Sequence, residues 1–424
     1  MRLALPFKAA LISVAVALGG CDSGAVSTDA EPTSAVHTAA DPDVTPSVKR
    51  TDKLVLMHYM PWHRTPEEFG GRGGWGGHWT GWGRHDPEQI DDTGRRDVYS
   101  HFYPLIDVYD SADPHVVEAQ LLQMRLAGVD GVIVDWYGIG QAADYPENQV
   151  GTQVLFEQCE KLGIDFAVCY EDRTVEVLVN EGHVESEAIG EHLAETLVWL
   201  QENWFASPVY VHLGDRPLFL NFGPIYVSSG DVWEVGLSAV SPRPMFIPLQ
   251  HLWRGVDADG GFAWVHHRAW DNDPPVDVVK QRLLDLFADM AEGGEFVPAA
   301  VTGFKDIYDV PFESLDHRDG DTLRASLEAA LAAPGRVVQL VTWNDYGEGT
   351  MIEPTREFDH LFLEILQDRL LDGGAHDDLR LPARLLDLRR AGNVASSELD
   401  AIAQMLSDRN VAGARAALDR LDTD

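Results

Sequence analysis

Apolar runs of five or six residues recur along this chain from residue 54 onward, and most are separated by stretches with helical periodicity. Leu54-Val55-Leu56-Met57-His58-Tyr59 reads as a first buried strand, and Gly131-Val132-Ile133-Val134-Asp135-Trp136 as a second. Phe166 to Tyr170, Pro217 to Phe222, Met245 to Leu249, a weaker Phe262 to Val265, Phe296 to Val301 and Arg336 to Thr342 complete the set. These runs are short, rich in β-branched or aromatic residues and nearly uncharged, as strands of a parallel sheet covered on both faces are. The clearest helix opens at Asp113-Pro114, with Asp113 as N-cap and Pro114 at the first helical position. Val117, Leu121 and Met124 mark its buried face, and Gly128 closes it. Further helices are expected near 148–162, 184–204, 275–291, 321–333 and 356–371. Eight strands with mostly helical crossovers predict an α/β fold, a (β/α)8 TIM barrel. A doubly wound sheet is the rival. It more usually places a glycine-rich phosphate turn and a helix directly after the first strand, and here a long aromatic loop follows instead.

The two ends of the chain depart from this pattern. Residues 379–421 carry apolar positions at helical spacing, broken at Gly392-Asn393 and Asn410, and read as a small helical appendage. At the start, Arg2 and Lys8 flank an apolar run, Ala9 to Leu18, too short to span a bilayer and shaped like a signal-peptide core. Leu18-Gly19-Gly20-Cys21 resembles a bacterial lipobox, in which Cys21 becomes the lipidated first residue after cleavage. An ordinary secretory signal with a chance cysteine is the alternative. Residues 22–50 are rich in Ser, Thr, Ala, Pro and Asp, the composition of a disordered tether. The expected organisation is a lipoprotein signal peptide (1–20), a tether (21–50), a barrel domain (51–374) and a helical extension (375–424). Its expected place is the cell envelope, as a periplasmic or surface lipoprotein held to a membrane through Cys21.

With 424 residues, 45% of them hydrophobic, the chain can build one large domain or two. The formal net charge of −37 argues against a nucleic-acid partner, since no basic stripe exists to neutralise phosphates. It reads as a solvated acidic surface, with adaptation to salt or a cationic partner as alternatives. Cys159 and Cys169 either pair or remain buried free thiols, and no CxxC or Cys/His spacing suggests structural zinc.

Candidate chemistry gathers where strands end, the place in a parallel α/β fold where ligands sit. The first strand ends in His58, Tyr59 and Trp62, the second in Asp135, Trp136 and Tyr137, the third in Glu171 and its neighbours. The seventh leads to Lys305 and Asp306, and the eighth runs into Trp343, Asn344, Asp345 and Glu348. Two carboxylates three residues apart at such a position are what acid/base work on a glycosidic bond requires. The loop Gly73-Gly74-Trp75-Gly76-Gly77-His78-Trp79-Thr80-Gly81-Trp82 reads in two ways, as aromatic platforms for pyranose rings or as a tryptophan-anchored lid. His101-Phe102-Tyr103-Pro104 lies in the same excursion and extends a sugar groove in the first reading. Metal-assisted hydrolysis is the competing chemistry, with His58, Asp135, His266 and His267 as possible ligands, although no HxH or HExxH spacing exists.

Four segments together carry a family resemblance. They are His58-Tyr59-Met60-Pro61-Trp62, His101 to Pro104, Ala127 to Tyr137, and Trp343-Asn344-Asp345-Tyr346-Gly347-Glu348-Gly349-Thr350-Met351-Ile352-Glu353-Pro354. Over roughly residues 53–372 the chain resembles the endo-α-mannosidase-like glycoside hydrolases of family 99, related family 71 proteins and bacterial proteins of surface-polysaccharide clusters. The resemblance implies a (β/α)8 barrel and a retaining mechanism without metal or other cofactor. One carboxylate takes the proton of the substrate's 2-hydroxyl, whose oxygen attacks the anomeric carbon, and a second acts as acid and then as base. The family's Trp-Asn-Glu-Trp-x-Glu-Gly motif places the first role on Asp345 and the second on Glu348. Here the base is Asp rather than Glu, and Tyr346 stands where the family has Trp. Tyr59 and Trp136 match aromatic positions lining the family's sugar site. Trp62, Trp79, His101, Tyr103, Asp135, Tyr137, Glu171, Trp343 and Asn344 complete the candidate substrate-binding set. The expectation is a lipid-anchored, endo-acting glycosidase on α-linked mannan-like or glucan-like oligo- or polysaccharide. A carbohydrate-binding lipoprotein without turnover and a metal-dependent hydrolase are the alternatives.

Overall fold

Eight short parallel strands form the centre of the computed structural model, which describes residues 47–66, 73–265, 267–271, 274–308 and 314–422. The expected signal peptide, Cys21, most of the expected tether, His266 and the side chain of His267 lie outside the described residues. The strands are β1 (Leu54–Tyr59), β2 (Gly131–Trp136), β3 (Asp165–Tyr170), β4 (Arg216–Asn221), β5 (Met245–Pro248), β6 (Gly260–Phe262), β7 (Glu295–Val297 and Ala299–Val301, split by Pro298) and β8 (Val337–Val341). Neighbours pair in parallel from β1 to β5, and β8 returns to pair with β1. Leu249 bridges to Phe262, linking β5 to β6; the two halves of β7 then pair with β6 and with β8, so the ring closes.

Period-two alternation sorts the strand side chains into two layers. Leu56, Ile133, Cys169, Leu220, Ile247, Phe262, Val297 and Val337 pack together inside the ring. Val55, Met57, Val134, Phe166, Phe219 and Leu340 face the helices instead. Those helices are α1 (Pro114–Leu126), α2 (Tyr145–Leu162), α3 (Ile189–Leu200, continued by a π turn to Phe205), α4 (Gly230–Leu237), α5 (Val276–Met290), α6 (Asp321–Ala332) and α7 (Leu361–Leu370). Asp113 caps α1 as its sequence predicts, accepting the His115 N–H at 2.9 Å. Between β5 and β6 there is only a 3-10 turn, Trp253–Gly255. At Gly260 a Cβ would lie 1.8 Å from the Glu295 carbonyl oxygen, so only glycine fits where β6 meets β7. No helix among the described residues is long and apolar enough to cross a membrane. Cys159 and Cys169 are both buried free thiols.

The end of the expected tether belongs to the folded body. Val48–Lys49 pair antiparallel with Leu371–Asp372, and Lys49 reaches the carboxylate of Asp130, contacts that composition does not reveal. At the other end α8 (Leu381–Ala391), α9 (Ser396–Ser407) and α10 (Val411–Leu421) brace α1 and α2. Arg389 of α8 grips the buried Glu118 of α1 with two hydrogen bonds, 2.9 and 3.0 Å, both side chains being almost wholly shielded from solvent. Removing one partner of a buried ion pair costs about 3–5 kcal/mol. Arg389→Ala should fall at the low end, because Lys161 still reaches Glu118 at 3.0 Å. The expected result is a lower thermal midpoint with turnover nearly unchanged; an unchanged midpoint would show that the brace contributes nothing.

Candidate active site

Strand β8 ends at Val341, and the chain then folds back on itself in a loop stitched by its own polar groups. The Asp345 N–H donates to Thr342 Oγ1 (2.9 Å), the Glu348 N–H donates to Asp345 Oδ1 (2.8 Å), and the Ile352 N–H returns to the Thr342 carbonyl (2.8 Å). The segment after β7 straps this loop: Lys305 and Ile307 donate their N–H groups to the carbonyls of Glu348 and Gly347, at 2.8 and 2.9 Å. Gly347 carries no side chain because Tyr308 occupies that space; a Cβ there would stand 2.2 Å from the Tyr308 hydroxyl. Asp345 and Glu348 are thereby held on one rigid turn at the C-terminal end of the barrel.

Two further carboxylates act on this pair, Asp135 at the end of β2 and Glu171 just past β3. Burial is the largest influence on all four, and charges packed this closely cannot all be ionised. Burial pushes Asp345 up to about 6, against the N–H groups of Glu348 and Gly347 and the nearby His78, which favour its charge. Glu348 is pushed well above the usual carboxylate range, by burial first and by Asp345 next. Glu171 rises to about 8, and Asp135 is raised strongly by burial and by the other three acids. The turn therefore presents two raised carboxylates in unlike surroundings: N–H groups and His78 favour the charge of Asp345, while Asp345 itself disfavours that of Glu348, the kind of division that acid/base catalysis uses.

Beneath them, His58 points into the ring, edge-on to Trp264 with ring centroids 4.9 Å apart. Neither of its ring nitrogens has a hydrogen-bond partner within normal geometry, and burial drives its basicity down to about 4. His58, Asp135 and Cys169 bring one donor atom each within 4.8 Å of one another, and this is the group among the described residues able to share a metal ion.

The candidate residues divide between the carboxylate cluster and the core. Asp345, Glu348, Asp135 and Glu171 come together, with Tyr137 in electrostatic reach of Asp135 and Glu171. Trp62 stands beside Tyr137 (6.2 Å between ring centroids) and stacks on His78 (4.1 Å, 7° between planes). Six others are fully buried away from this cluster, and their assignment to substrate contact is corrected. Tyr59 and Trp136 follow His58 and Asp135 by one position, so the alternation turns them outward. Tyr59 donates to Gln120 of α1 (2.6 Å), and Trp136 donates to Gln149 of α2 (2.6 Å) and packs on Trp199 and Trp204. Trp79 is the buried anchor of its loop, donating to the Tyr109 carbonyl (2.8 Å). Tyr103 is clamped between the guanidinium groups of Arg95 and Arg356, and Trp343 is fully buried against the helix layer. Asn344 is a bracket, bound to both backbone groups of Met60 at 2.8 and 2.9 Å. His101, by contrast, is exposed, its Nε2 3.0 Å from the carbonyl of Asp306, a residue whose charge acts on Glu348, and it stays a candidate.

Sequence reasoning passed over Tyr308 and the role of Glu353. Buried Glu353 accepts from Gln120 (2.7 Å), Tyr109 (2.8 Å) and Tyr346 (2.8 Å), and Tyr109 in turn accepts from Asn344 (3.0 Å). Burial raises Glu353 to about 7 against these three donors. A carboxylate inside the apolar run Met351-Ile352-Glu353-Pro354 was the available signal.

No protein-family model matches the chain. The glycoprotein endo-α-1,2-mannosidase-like protein of Homo sapiens is 23% identical over 318 residues, covering 67% of this chain and 63% of that protein. The glycoprotein endo-α-1,2-mannosidase of Mus musculus is 22% identical over 324 residues, covering 66% and 62%. The chain thus spans less than two thirds of the length of these curated relatives. Among solved structures, the GH99 endo-α-mannosidase from Bacteroides thetaiotaomicron superposes with a TM-score of 0.56 at 16% identity, over 78% of this chain and 98% of that one. In sequence and in barrel fold, this chain is similar to the endo-α-mannosidases of glycoside hydrolase family 99.

Proposed function

We propose that this protein is a retaining, endo-acting glycoside hydrolase of α-linked mannan-like chains, held at a membrane by lipid on Cys21. The observation that carries the reading is the placing of two carboxylates, Asp345 and Glu348, on one strapped turn past the C-terminal end of β8, linked by the Glu348 N–H to Asp345 Oδ1 bond at 2.8 Å, with burial raising Glu348 and Asp345 alike. In the first step Asp345 takes the 2-hydroxyl proton, and that oxygen displaces the leaving group at the anomeric carbon while Glu348 protonates the departing oxygen. In the second, the Glu348 carboxylate takes a proton from water as the water opens the strained sugar, and Asp345 returns its proton to the 2-oxygen. Displacement requires the 2-oxygen to stand opposite the leaving group. It does so in α-mannosides and does not in α-glucosides, which favours mannan-like over glucan-like chains. The relatives named endo-α-1,2-mannosidase point the same way.

The deciding experiment is a panel of α-mannan and α-glucan oligosaccharides with product stereochemistry read by NMR. Release of the α-anomer from internal mannosidic bonds is expected; binding without cleavage would favour the carbohydrate-binding alternative. A metal-dependent reading has one observation behind it, the His58, Asp135 and Cys169 cluster. Dialysis against chelator, with metal content measured, decides it: activity that vanishes and returns with a divalent cation would replace the carboxylate mechanism. For the anchor, Cys21→Ser should release the protein from the membrane fraction, and unaltered partition would refute lipidation.

A further inference from the structure

The aromatic loop that bears the buried Trp79 also presents Trp82 to solvent. Trp82 is 63% exposed and is the one aromatic among the large apolar side chains that the described residues leave uncovered. Its backbone is left-handed, at φ +54°, between Gly81 (φ +56°) and Gly83 (φ +90°). A bulky residue takes that conformation at a cost that glycine does not bear, and such strain persists where the surrounding structure enforces it. Gly77 lies against the indole; a Cβ there would stand 2.6 Å from the Trp82 ring nitrogen. The left-handed backbone and the glycine beneath it together hold the indole where it stands exposed.

Trp82 is also the outer member of a run of rings that begins at the active site. Tyr137 stands beside Trp62 (6.2 Å), Trp62 stacks on His78 (4.1 Å), and Trp82 meets His78 edge-on (5.2 Å, 64°). His78 lies near enough to Asp345 to favour its charge. The run therefore leads from the catalytic turn outward. Trp62 and His78 cover one another, whereas the Trp82 indole remains open to a ligand. A pyranose ring offers an apolar C–H face that an indole plane covers well, and an exposed aromatic gains by that coverage.

We propose that Trp82 forms a distal sugar subsite, engaging residues of an oligosaccharide beyond those held at the catalytic carboxylates. This rests on the glycosidase reading and deepens it, because a distal platform rewards long chains over short ones. The test uses the Glu348→Gln protein, so that ligands bind without being cut, and titrates α-mannan oligosaccharides of increasing length by calorimetry. Trp82→Gly keeps the backbone conformation without strain, and the fold is checked by its thermal midpoint. The expected result is affinity for the longer oligosaccharides weakened about 2- to 10-fold, the shortest unchanged, and Trp82→Phe in between. Protection of Trp82 from N-bromosuccinimide by the longer oligosaccharides, mapped by mass spectrometry in the unsubstituted chain, reads the same contact without a variant. Equal affinities at every length, or no protection, would overturn the subsite alone. Failure of the Glu348→Gln protein to bind any of the oligosaccharides would overturn the mannan reading and the subsite with it.

Discussion

Replacing Glu348 by Gln should slow hydrolysis of the natural glycan by about 10²- to 10⁴-fold, the usual contribution of a general acid. The loss should depend on the leaving group. A sugar alkoxide needs the proton that Glu348 holds, whereas an activated aryl group departs with little help, so aryl α-mannosides should lose far less in their first step. Asp345→Asn should slow both kinds of substrate, because both need the 2-hydroxyl oxygen as nucleophile. Asp345→Glu is the sharper probe. The Asp345 carboxylate is pinned by the Glu348 N–H at 2.8 Å and lies on a loop strapped by the segment after β7. A longer side chain must give up that bond to reach the same point, and activity should fall without vanishing. Near wild-type rates for both Asp345→Asn and Glu348→Gln on the true substrate would mean that the pair is structural.

The pH profile of kcat/KM should be a bell displaced upward from that of an ordinary carboxylate pair. On the acidic side Asp345 must be ionised, and burial has lifted it to about 6, so the rate should fall as pH drops through that value. On the alkaline side Glu348 must hold its proton, which burial and the neighbouring Asp345 help it to keep. His78→Ala removes a group that favours the Asp345 charge, and the acidic limb should then move to higher pH. The same cluster bears on stability. Its carboxylates have folded-state values above their unfolded ones, so the folded protein binds more protons. Their contribution is fully present below about 4 and is lost as pH rises through about 6 for Asp345 and about 8 for Glu171. Melting across this range should show Glu171→Gln flattening the decline between pH 6 and 8. An acidic limb near 4 in the rate profile would remove the basis for the proposed division of roles.

Much of the barrel was legible because strands covered on both faces leave a dense apolar signature, and β1, β2, β3 and β8 appear close to where that signature lies. β6 was blurred: it has three residues, two of them glycines, and its register depends on contact with β7 rather than on its own pattern. α4 is eight residues long with glycine at Gly230 and Gly236, too short for a period to stand out. At the site, the strand-end motif exposed Asp345 and Glu348, but residue identity could not say which side of a strand faces inward. Tyr59 and Trp136 looked like sugar platforms and are helix-layer core, while His58 and Asp135, one residue earlier, point into the ring. Tyr308 escaped notice because its place is defined by a missing side chain, that of Gly347.

The hydrogen-bonded set around Glu353 binds the freedom of the catalytic loop to change over generations. Asn344 and Tyr346 flank Asp345 on either side, and both reach Glu353, one through Tyr109 and one directly. Gln120 joins the same carboxylate to α1. A substitution at any one of these positions leaves a buried donor or acceptor unmatched at the others. The five residues should therefore drift together or not at all, and a designer who wishes to place Trp at position 346 must first give Glu353 a new donor.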